Sequence, residues 1–366
     1  MDRLLRKYRR DLHRIPELGL ELPRTWAYLK KALEQYPCRV FSPAPYGVCA
    51  YFDFGRERTA AVRADMDALP LREETGLPFA SGTPGRMHAC GHDGHMAMAL
   101  ALGAEAARQK TAPPRNLLLV FQPGEEMGGG GERICRSGVF REFGADRIFG
   151  FHLWPGLPAG AVAGRPGPLM AGSSEVTVEI TGKSCHIARA GEGADALLAA
   201  VEFVRRAYRA AEELPPGTRR LLKFGRLESG EARNVVSGRS LLLGSLRAFE
   251  PETLAFLKGR LVEAGREAAE ATGCAVRVGF GGEYPPVVNH PGLFEEARAL
   301  LGEGLRPLAE PVMTAEDFAF YQRELPGVFL LLGTGRDTPL HSSRFDFDER
   351  ALEAGLGAYR RLLGMA

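Results

Sequence analysis

Apolar positions recur along the chain with more than one period. Near the start, Leu5, Tyr8 and Leu12 repeat at spacings of three and four, which predicts a helix that Pro16 ends. Short apolar runs then predict strands over 48–54, 59–64, 116–121, 147–151 and 328–332. The runs at 116–121 and 328–332 are continuously apolar, as strands covered on both faces by helices require. Between them the stretch 94–110, rich in Ala, Leu and Met, predicts a helix. Strand and helix alternate here, so this part reads as an α/β fold on a mainly parallel sheet.

Between 174 and 284 the order becomes strand, helix, strand, strand, helix, strand. The segment 175–180 is the first strand, and Leu197, Val201, Val204 and Tyr208 mark the first helix at spacings of four, three and four. Strands are expected near 220–227 and 240–249. Pro251-Glu252 opens a second helix that carries Leu254, Leu257, Leu261, Ala264 and Ala268, and Gly273 closes it. A last strand covers 274–280. This order is the ferredoxin-like arrangement. Gly- and Pro-rich joints at 164–172 and 284–286 set it off. The expected division is an outer α/β domain over 1–172 and 285–366 with an inserted domain over 173–284.

Composition adds mainly exclusions. A chain of 366 residues suggests about two domains. Its 45% hydrophobic and 25% charged residues rule out a disordered, collagen-like or coiled-coil chain. Forty-seven basic residues against 45 acidic leave a net charge of +2, which gives no electrostatic case for nucleic acid or an anionic membrane. No run of eighteen apolar residues predicts a membrane span. The opening residues have no apolar stretch after their charges, so a secretory leader is not expected. Six scattered cysteines do not form a disulfide framework, and a reducing cytoplasm is the expected compartment.

The chemistry-bearing residues gather at strand ends. Met87-His-Ala-Cys-Gly-His-Asp-Gly-His95 offers a thiol and several imidazoles around two glycines, a loop able to bring Cys90 and His92 to one cation. A glycine-rich helix entry with backbone-bonded imidazoles is the plainer reading of that segment. Phe121-Gln-Pro-Gly-Glu-Glu126 puts two carboxylates past an apolar strand, where parallel sheets build their sites. Such a pair can divide labour, one acid binding a metal and the other moving a proton. His152 and His341 also follow predicted strands, and Asp65 and Asp67 follow another. Cys90, His92, Glu126, His152 and His341 then form a candidate ligand set, one donor too many for a single structural zinc and suited to two metals. Three imidazoles and a thiolate favour zinc, with nickel, cobalt or manganese as alternatives. Asp65 and Asp67 remain as acceptors for ligand imidazole N–H groups.

The segments DLHRIPELGLE, RADMDALP, MHACGHDGH, FQPGEE, FHLWP, PPVVN and EDFAFY, with the late His341, closely resemble the M20 family of metallo-aminoacylases and carboxypeptidases. The nearest branch contains N-acyl-amino-acid amidohydrolases, hippurate hydrolases and auxin-conjugate hydrolases, and the likeness runs over nearly the whole chain. It implies a zinc-peptidase-like α/β domain with an inserted ferredoxin-like lid. It also implies two divalent metal ions bridged by Cys90 and held by His92, Glu126, His152 and His341, with Glu125 as general base. The implied reaction is hydrolysis of an N-acyl-L-amino acid to a carboxylic acid and a free amino acid. The implied assembly is a homodimer or higher homo-oligomer.

In the lid, the resemblance makes His186 a donor to the scissile carbonyl, reaching across a dimer, and makes Asn234 and Arg247 holders of the substrate carboxylate. A guanidinium suits a planar carboxylate, although a surface ion pair is the plainer reading of Arg247. The family commonly has Gly-Gly-His-Ala where this chain has Ser184-Cys185-His186-Ile187, followed by Arg189. That departure bears on substrate choice and leaves the metal set alone. Cys185 either lies near substrate or fills a small space, and Cys38, Cys49, Cys135 and Cys274 read as apolar packing. Glu316 and Asp317 are expected to orient His341 or line the pocket, or else to sit at a helix start. A dipeptidase or carboxypeptidase acting on a short peptide is the near alternative. A non-catalytic metal-binding homologue is the remote one, disfavoured by the intact donor set and Glu125.

Overall fold

The computed structural model describes residues 1–365. In chain order its strands are β1 (Arg39–Phe41), β2 (Val48–Phe52), β3 (Thr59–Asp65), β4 (Asn116–Gln122), β5 (Ala145–Trp154), β6 (Val162–Gly164), β7 (Gly167–Met170), β8 (Gly172–Thr181), β9 (Arg220–Ser229), β10 (Arg239–Ala248), β11 (Ala275–Tyr284), β12 (Val287–Asn289), β13 (Leu305–Pro307) and β14 (Gly327–Gly333). The chain folds as two compact units. One comprises Met1–Leu169, Val287–Pro311 and Asp317–Ala366, the other Met170–Pro286 with Val312–Glu316. The short return of 312–316 to the second unit has no counterpart in the apolar pattern.

The first unit is built on an eight-stranded sheet in the order β1-β2-β4-β3-β5-β14-β6-β13. Its centre, β4-β3-β5-β14, is parallel, whereas β1 and β2 run antiparallel on one flank. Every residue of β3, β4 and β14 is buried, in keeping with their apolar runs and a sheet covered on both faces. Helix α1 (Asp2–His13) buries Leu5, Tyr8 and Leu12, the stripe its spacing predicts. After α2 (Pro23–Leu33), helix α3 (His92–Ala106) is buried on nearly every side. Its small and flexible residues allow packing all round. Among the described residues, no helix is long and apolar enough to cross a membrane.

The second unit is a four-stranded antiparallel sheet in the order β11-β8-β10-β9, with the helices Ala196–Glu212 and Pro251–Thr272. Val176, Val178 and Ile180 of β8 enter the core while Glu175 and Glu179 face outward, so one sheet face is packed and the other is open. The first helix departs from its apolar spacing. Ala196, Ala199, Ala200, Phe203, Ala207 and Ala210 are buried, whereas Leu197 and Val201 are 45% and 53% exposed. The small residues let the helix lie close to the sheet, which leaves the larger aliphatics outside.

Candidate metal centre

The carboxyl ends of the central strands and the start of α3 bring the candidate residues of the first unit together. Strand β3 ends in Asp65, β4 runs into the loop that bears Glu125 and Glu126, and β5 carries His152. His92 is the first residue of α3, whose entry passes tightly against β5. Gly91 has φ +85°, and a Cβ there would lie 2.8 Å from Leu153 Cδ1. A Cβ on Gly94 would lie 2.8 Å from both Leu153 Cδ1 and Phe347 Cζ. Both glycines of the histidine-rich segment are therefore steric requirements for this approach.

Cys90 Sγ is 3.5 Å from His152 Nε2. His92 Nε2 is 3.9 Å from Glu126 Oε1, which lies 3.3 Å from His341 Nε2. The donor atoms of Cys90, His92 and His152 all fall within 4.8 Å of one another, and so do those of Cys90, Glu126 and His341. Cys90 belongs to both triads, a spacing that suits two cations sharing one thiolate. His92 Nε2 and Glu126 Oε1 are buried without a hydrogen-bond partner. Buried polar atoms of this kind are costly unless a ligand meets them, so the residues present fit a divalent metal.

The tautomers agree with that use. His92 Nδ1 is 2.8 Å from the Asp67 carbonyl and His152 Nδ1 is 2.7 Å from the Leu153 carbonyl. A ring nitrogen facing a carbonyl donates, which leaves each Nε2 lone pair for a cation. His95 is committed otherwise: Nε2 accepts from the Leu153 N–H at 2.9 Å and Nδ1 donates to Asp65 at 2.6 Å. His88 is buried beside the cluster, belongs to neither triad, and is driven down to about 3 by burial.

Negative potential fills the site. Burial alone would lower His92, but Asp65, Asp67 and Glu126 push it up to about 10. Burial and the carboxylates of Glu126, Glu125 and Asp65 raise the Cys90 thiol well above its ordinary value. Burial works against an ionised Glu126, yet His341 and His92 hold it below the usual carboxylate range. A proton or a metal cation relieves the same excess of charge. His341 completes the cluster with its backbone at φ +63°, a conformation rare outside glycine, tied by its N–H to the Ala89 carbonyl at 2.9 Å.

Of the two aspartates at and just past the end of β3, Asp67 accepts from a candidate ligand imidazole as expected, through its carbonyl, and Asp65 does not. Asp65 takes His95 and not the N–H of a candidate ligand. The Asp67 carboxylate accepts the backbone N–H groups of Glu125 and Glu126 at 2.9 and 3.1 Å, while its carbonyl orients His92. Asp317 turns to Arg63, Gln122 and the Gly131 N–H. Arg63, Gln122 and Tyr321 were not singled out from the sequence; the signal for them was an arginine and a glutamine inside otherwise apolar strands.

The lid candidates all lie in the second unit. His186 is exposed, with Nδ1 accepting from the Ala188 N–H at 3.2 Å, and the Asn234 carbonyl accepts from the Ile187 N–H at 2.9 Å. Within this unit His186 and Asn234 are neighbours, and Arg247 is not with them. Arg247 pairs with Ser173 near one end of β8, whereas His186 follows Thr181 at the other. The two ends are roughly 25 Å apart at about 3.3 Å per residue. Arg247 is half-buried and donates to the Met313 carbonyl at 2.7 Å rather than joining a surface ion pair.

Comparison with known proteins identifies the family. A family model described as peptidase family M20/M25/M40 matches residues 61–364. An N-acetyldiaminopimelate deacetylase of Lacticaseibacillus casei (strain BL23) is 36% identical over 364 residues, covering 96% of this chain and 94% of its own. One from Streptococcus uberis is 37% identical over 365 residues, covering 97% and 96%. Among solved structures, an aminohydrolase described as putative, from methicillin-resistant Staphylococcus aureus, superposes with TM-score 0.91 at 28% identity over 100% of this chain and 97% of that one. The YXEP protein of Bacillus subtilis, described as a dinuclear metal binding peptidase from the M20 family, gives TM-score 0.85 at 28% identity over 100% and 99%.

Proposed function

The chain belongs to peptidase family M20/M25/M40 and is a metal-dependent amidohydrolase, and we propose that it deacylates N-acyl-L-amino acids, an N-acetylated diamino diacid foremost. The observation that carries the reading is the pair of triads sharing Cys90, with Glu125 beside them in the same buried loop. The names of the full-length relatives supply the acetyl group and the diamino diacid.

In this reading Cys90, His92, Glu126, His152 and His341 would hold two divalent cations, zinc by the preference of imidazole and thiolate donors. Once bound there, such ions would supply Lewis acidity toward a water and toward the amide carbonyl. Glu125 takes the proton of that water as its oxygen attacks the acyl carbon, then returns a proton to the leaving nitrogen. The C–N bond breaks, giving a carboxylic acid and a free amino acid. Asp67 fixes the backbone of Glu125 and Glu126 for these roles. His186 donates to the carbonyl oxygen, and Asn234 and Arg247 hold the substrate carboxylate.

A homodimer belongs to the same proposal. Leu197, Leu198 and Val201 are exposed on one helix, Ile187 and Val235 are exposed in the same unit, and β9 is an edge strand. Apolar surface and an open edge of this kind call for a covering partner. The separation of His186 and Asn234 from Arg247 along β8 and β10 also fits a site served by two protomers. Introducing glutamate at Leu198 and Val201 is expected to give monomers in light scattering.

The test is a metal analysis of the purified protein joined to a rate comparison on N-acetyl amino acids, N-acetyl-diaminopimelate and dipeptides. Fastest turnover of an N-acetyl substrate supports the reading, and preference for dipeptides replaces it with a dipeptidase. Glu125→Gln is expected to keep its metal and lose roughly 10²–10⁴-fold in kcat. Full activity in that variant removes Glu125 from the chemistry.

A further inference from the structure

Under the metal cluster lies a guanidinium that the hydrolytic steps do not use. Arg63, in the middle of the parallel sheet, is 1% exposed. Its Nε donates to Gln122 Oε1 at 2.9 Å, Nη1 to Asp65 Oδ2 at 2.6 Å and Nη2 to Asp317 Oδ1 at 2.8 Å. A buried ion pair is a poor way to gain stability, since apolar residues of similar volume often do as well. Its value here lies in what the two carboxylates hold.

One arm runs to the histidines. Asp65 Oδ1 accepts from His95 Nδ1 at 2.6 Å, and Asp65 Oδ2 lies 3.6 Å from His92 Nε2. His95 Nε2 in turn accepts from the N–H of Leu153, the residue after His152. The other arm runs to the glutamates. Asp317 Oδ2 accepts from the Gly131 N–H at 2.9 Å and from Gln122 Nε2 at 2.7 Å. The Gly130 N–H closes onto the Gly124 carbonyl at 3.2 Å, which pins both ends of the loop that carries Glu125 and Glu126. The Tyr321 hydroxyl donates to Gln122 Oε1 at 2.8 Å and steadies the amide between the arms.

We propose that Arg63 is a positioning residue whose rigid fork, through Asp65 and Asp317, fixes the spacing of the Cys90–His92–His152 triad against the Cys90–Glu126–His341 triad, so that the protein holds two cations instead of one. The inference rests on the metallohydrolase reading above. A planar guanidinium reaches both carboxylates at set angles, and a lysine ammonium in its place keeps the charge without the fork. Outer residues of this kind commonly change metal affinity by about 10–100-fold.

Calorimetric titration of the metal-free protein with zinc tests it, alongside cobalt(II) titration followed by visible absorption. The wild type is expected to take two equivalents. Asp317→Asn, which loosens the glutamate arm alone, is expected to weaken the second equivalent by about 10–100-fold and leave the first unchanged. Arg63→Lys is expected to weaken both and alter the cobalt spectrum, with kcat falling more than KM rises. Where Arg63→Lys folds poorly by circular dichroism, Asp317→Asn decides. Variants that melt earlier yet take two equivalents with wild-type affinity and spectrum reduce Arg63 to a structural residue and overturn the proposal. A wild type that takes no metal, or takes it unchanged after Cys90→Ser, overturns the metal reading itself.

Discussion

In the first unit Arg9, His13, Arg63, Asp65, Asp67, Asp93 and Asp317 are sealed from solvent, several of them against one another. In the second, charged side chains pair across exposed helical turns, as Arg205 does with Glu202 and Arg266 with Glu263. Its buried polar residues are mostly serines and a threonine, with Glu316 the charged exception. Both sets count as salt bridges by distance, yet they differ in what holds them. A buried charge carries a desolvation cost that only a precise partner offsets, whereas an exposed pair is replaceable by water. Charge sealed beside orphaned donor atoms therefore marks the candidate metal centre, and charge on the helices of the second unit does not.

The largest expected effect is at Asp67. Asp67→Ala leaves the buried N–H of Glu125 and the part-buried N–H of Glu126 without their acceptor, a loss of roughly 2–6 kcal/mol in unfolding free energy at about 1–3 kcal/mol per group. Metal affinity is expected to fall with it, because the same loop carries Glu126. Denaturant melts and a zinc titration check both. A variant as stable and as metal-tight as wild type breaks the link between buried charge and the site.

Next is His13. Burial alone would lower it, but Asp93 and Glu73, at 2.8 and 3.2 Å, push it up to about 9. The folded protein then holds this proton more tightly than the unfolded chain, whose value is 6.5. The stabilisation, on the order of 3 kcal/mol, is complete below 6.5 and disappears as pH rises through about 9. Glu73 works in the opposite direction: burial opposes its ionisation, but His13 and Thr75 lower it to about 2, so its contribution is complete above 4.5 and is lost as pH falls through about 2. His13→Gln is expected to flatten the alkaline limb of stability against pH. An unchanged limb between pH 6.5 and 9 removes His13 from that role.

Gly94→Ala sharpens the comparison from the packing side. The added methyl meets Leu153 and Phe347 at 2.8 Å, and overpacking of this kind costs about 1–3 kcal/mol. Because Leu153 adjoins His152, metal retention on dialysis is expected to drop as well. Loss of stability without loss of metal would separate the packing of α3 from the geometry of the site.

How much could be read in advance follows the same division. The parallel strands were legible because both their faces are apolar, and β8 because its faces alternate. The clustering of the candidate metal donors was legible because Cys, His and Glu at strand ends have few other reasons to gather. Arg63 and Gln122 were not, and Asp317 was legible only as a candidate without its partners, because their meaning depends on residues up to 254 positions apart in the chain. The exposed face of the helix Ala196–Glu212 was missed for a different reason: periodicity finds an apolar stripe, but small alanines on the adjacent face pack closer and take the core.

The smallest expected effect is in the second unit. Arg266 pairs with Glu263 at 2.6 Å and also with Glu270 on the helix Pro251–Thr272, with more than half of its side chain in water. Its neighbours raise its affinity for the proton, but arginine is charged in both the folded and unfolded chain at any working pH, so that shift has no pH signature. Solvent replaces the ion pair when it is cut, and the side chain's freedom is regained. Arg266→Ala is therefore expected to leave the unfolding midpoint, the zinc stoichiometry and the turnover rate within error of wild type. A loss as large as that of His13→Gln would mean that exposed pairs of the second unit carry the kind of energy assigned here to sealed charge, and burial would no longer distinguish the candidate metal centre from the helices of that unit.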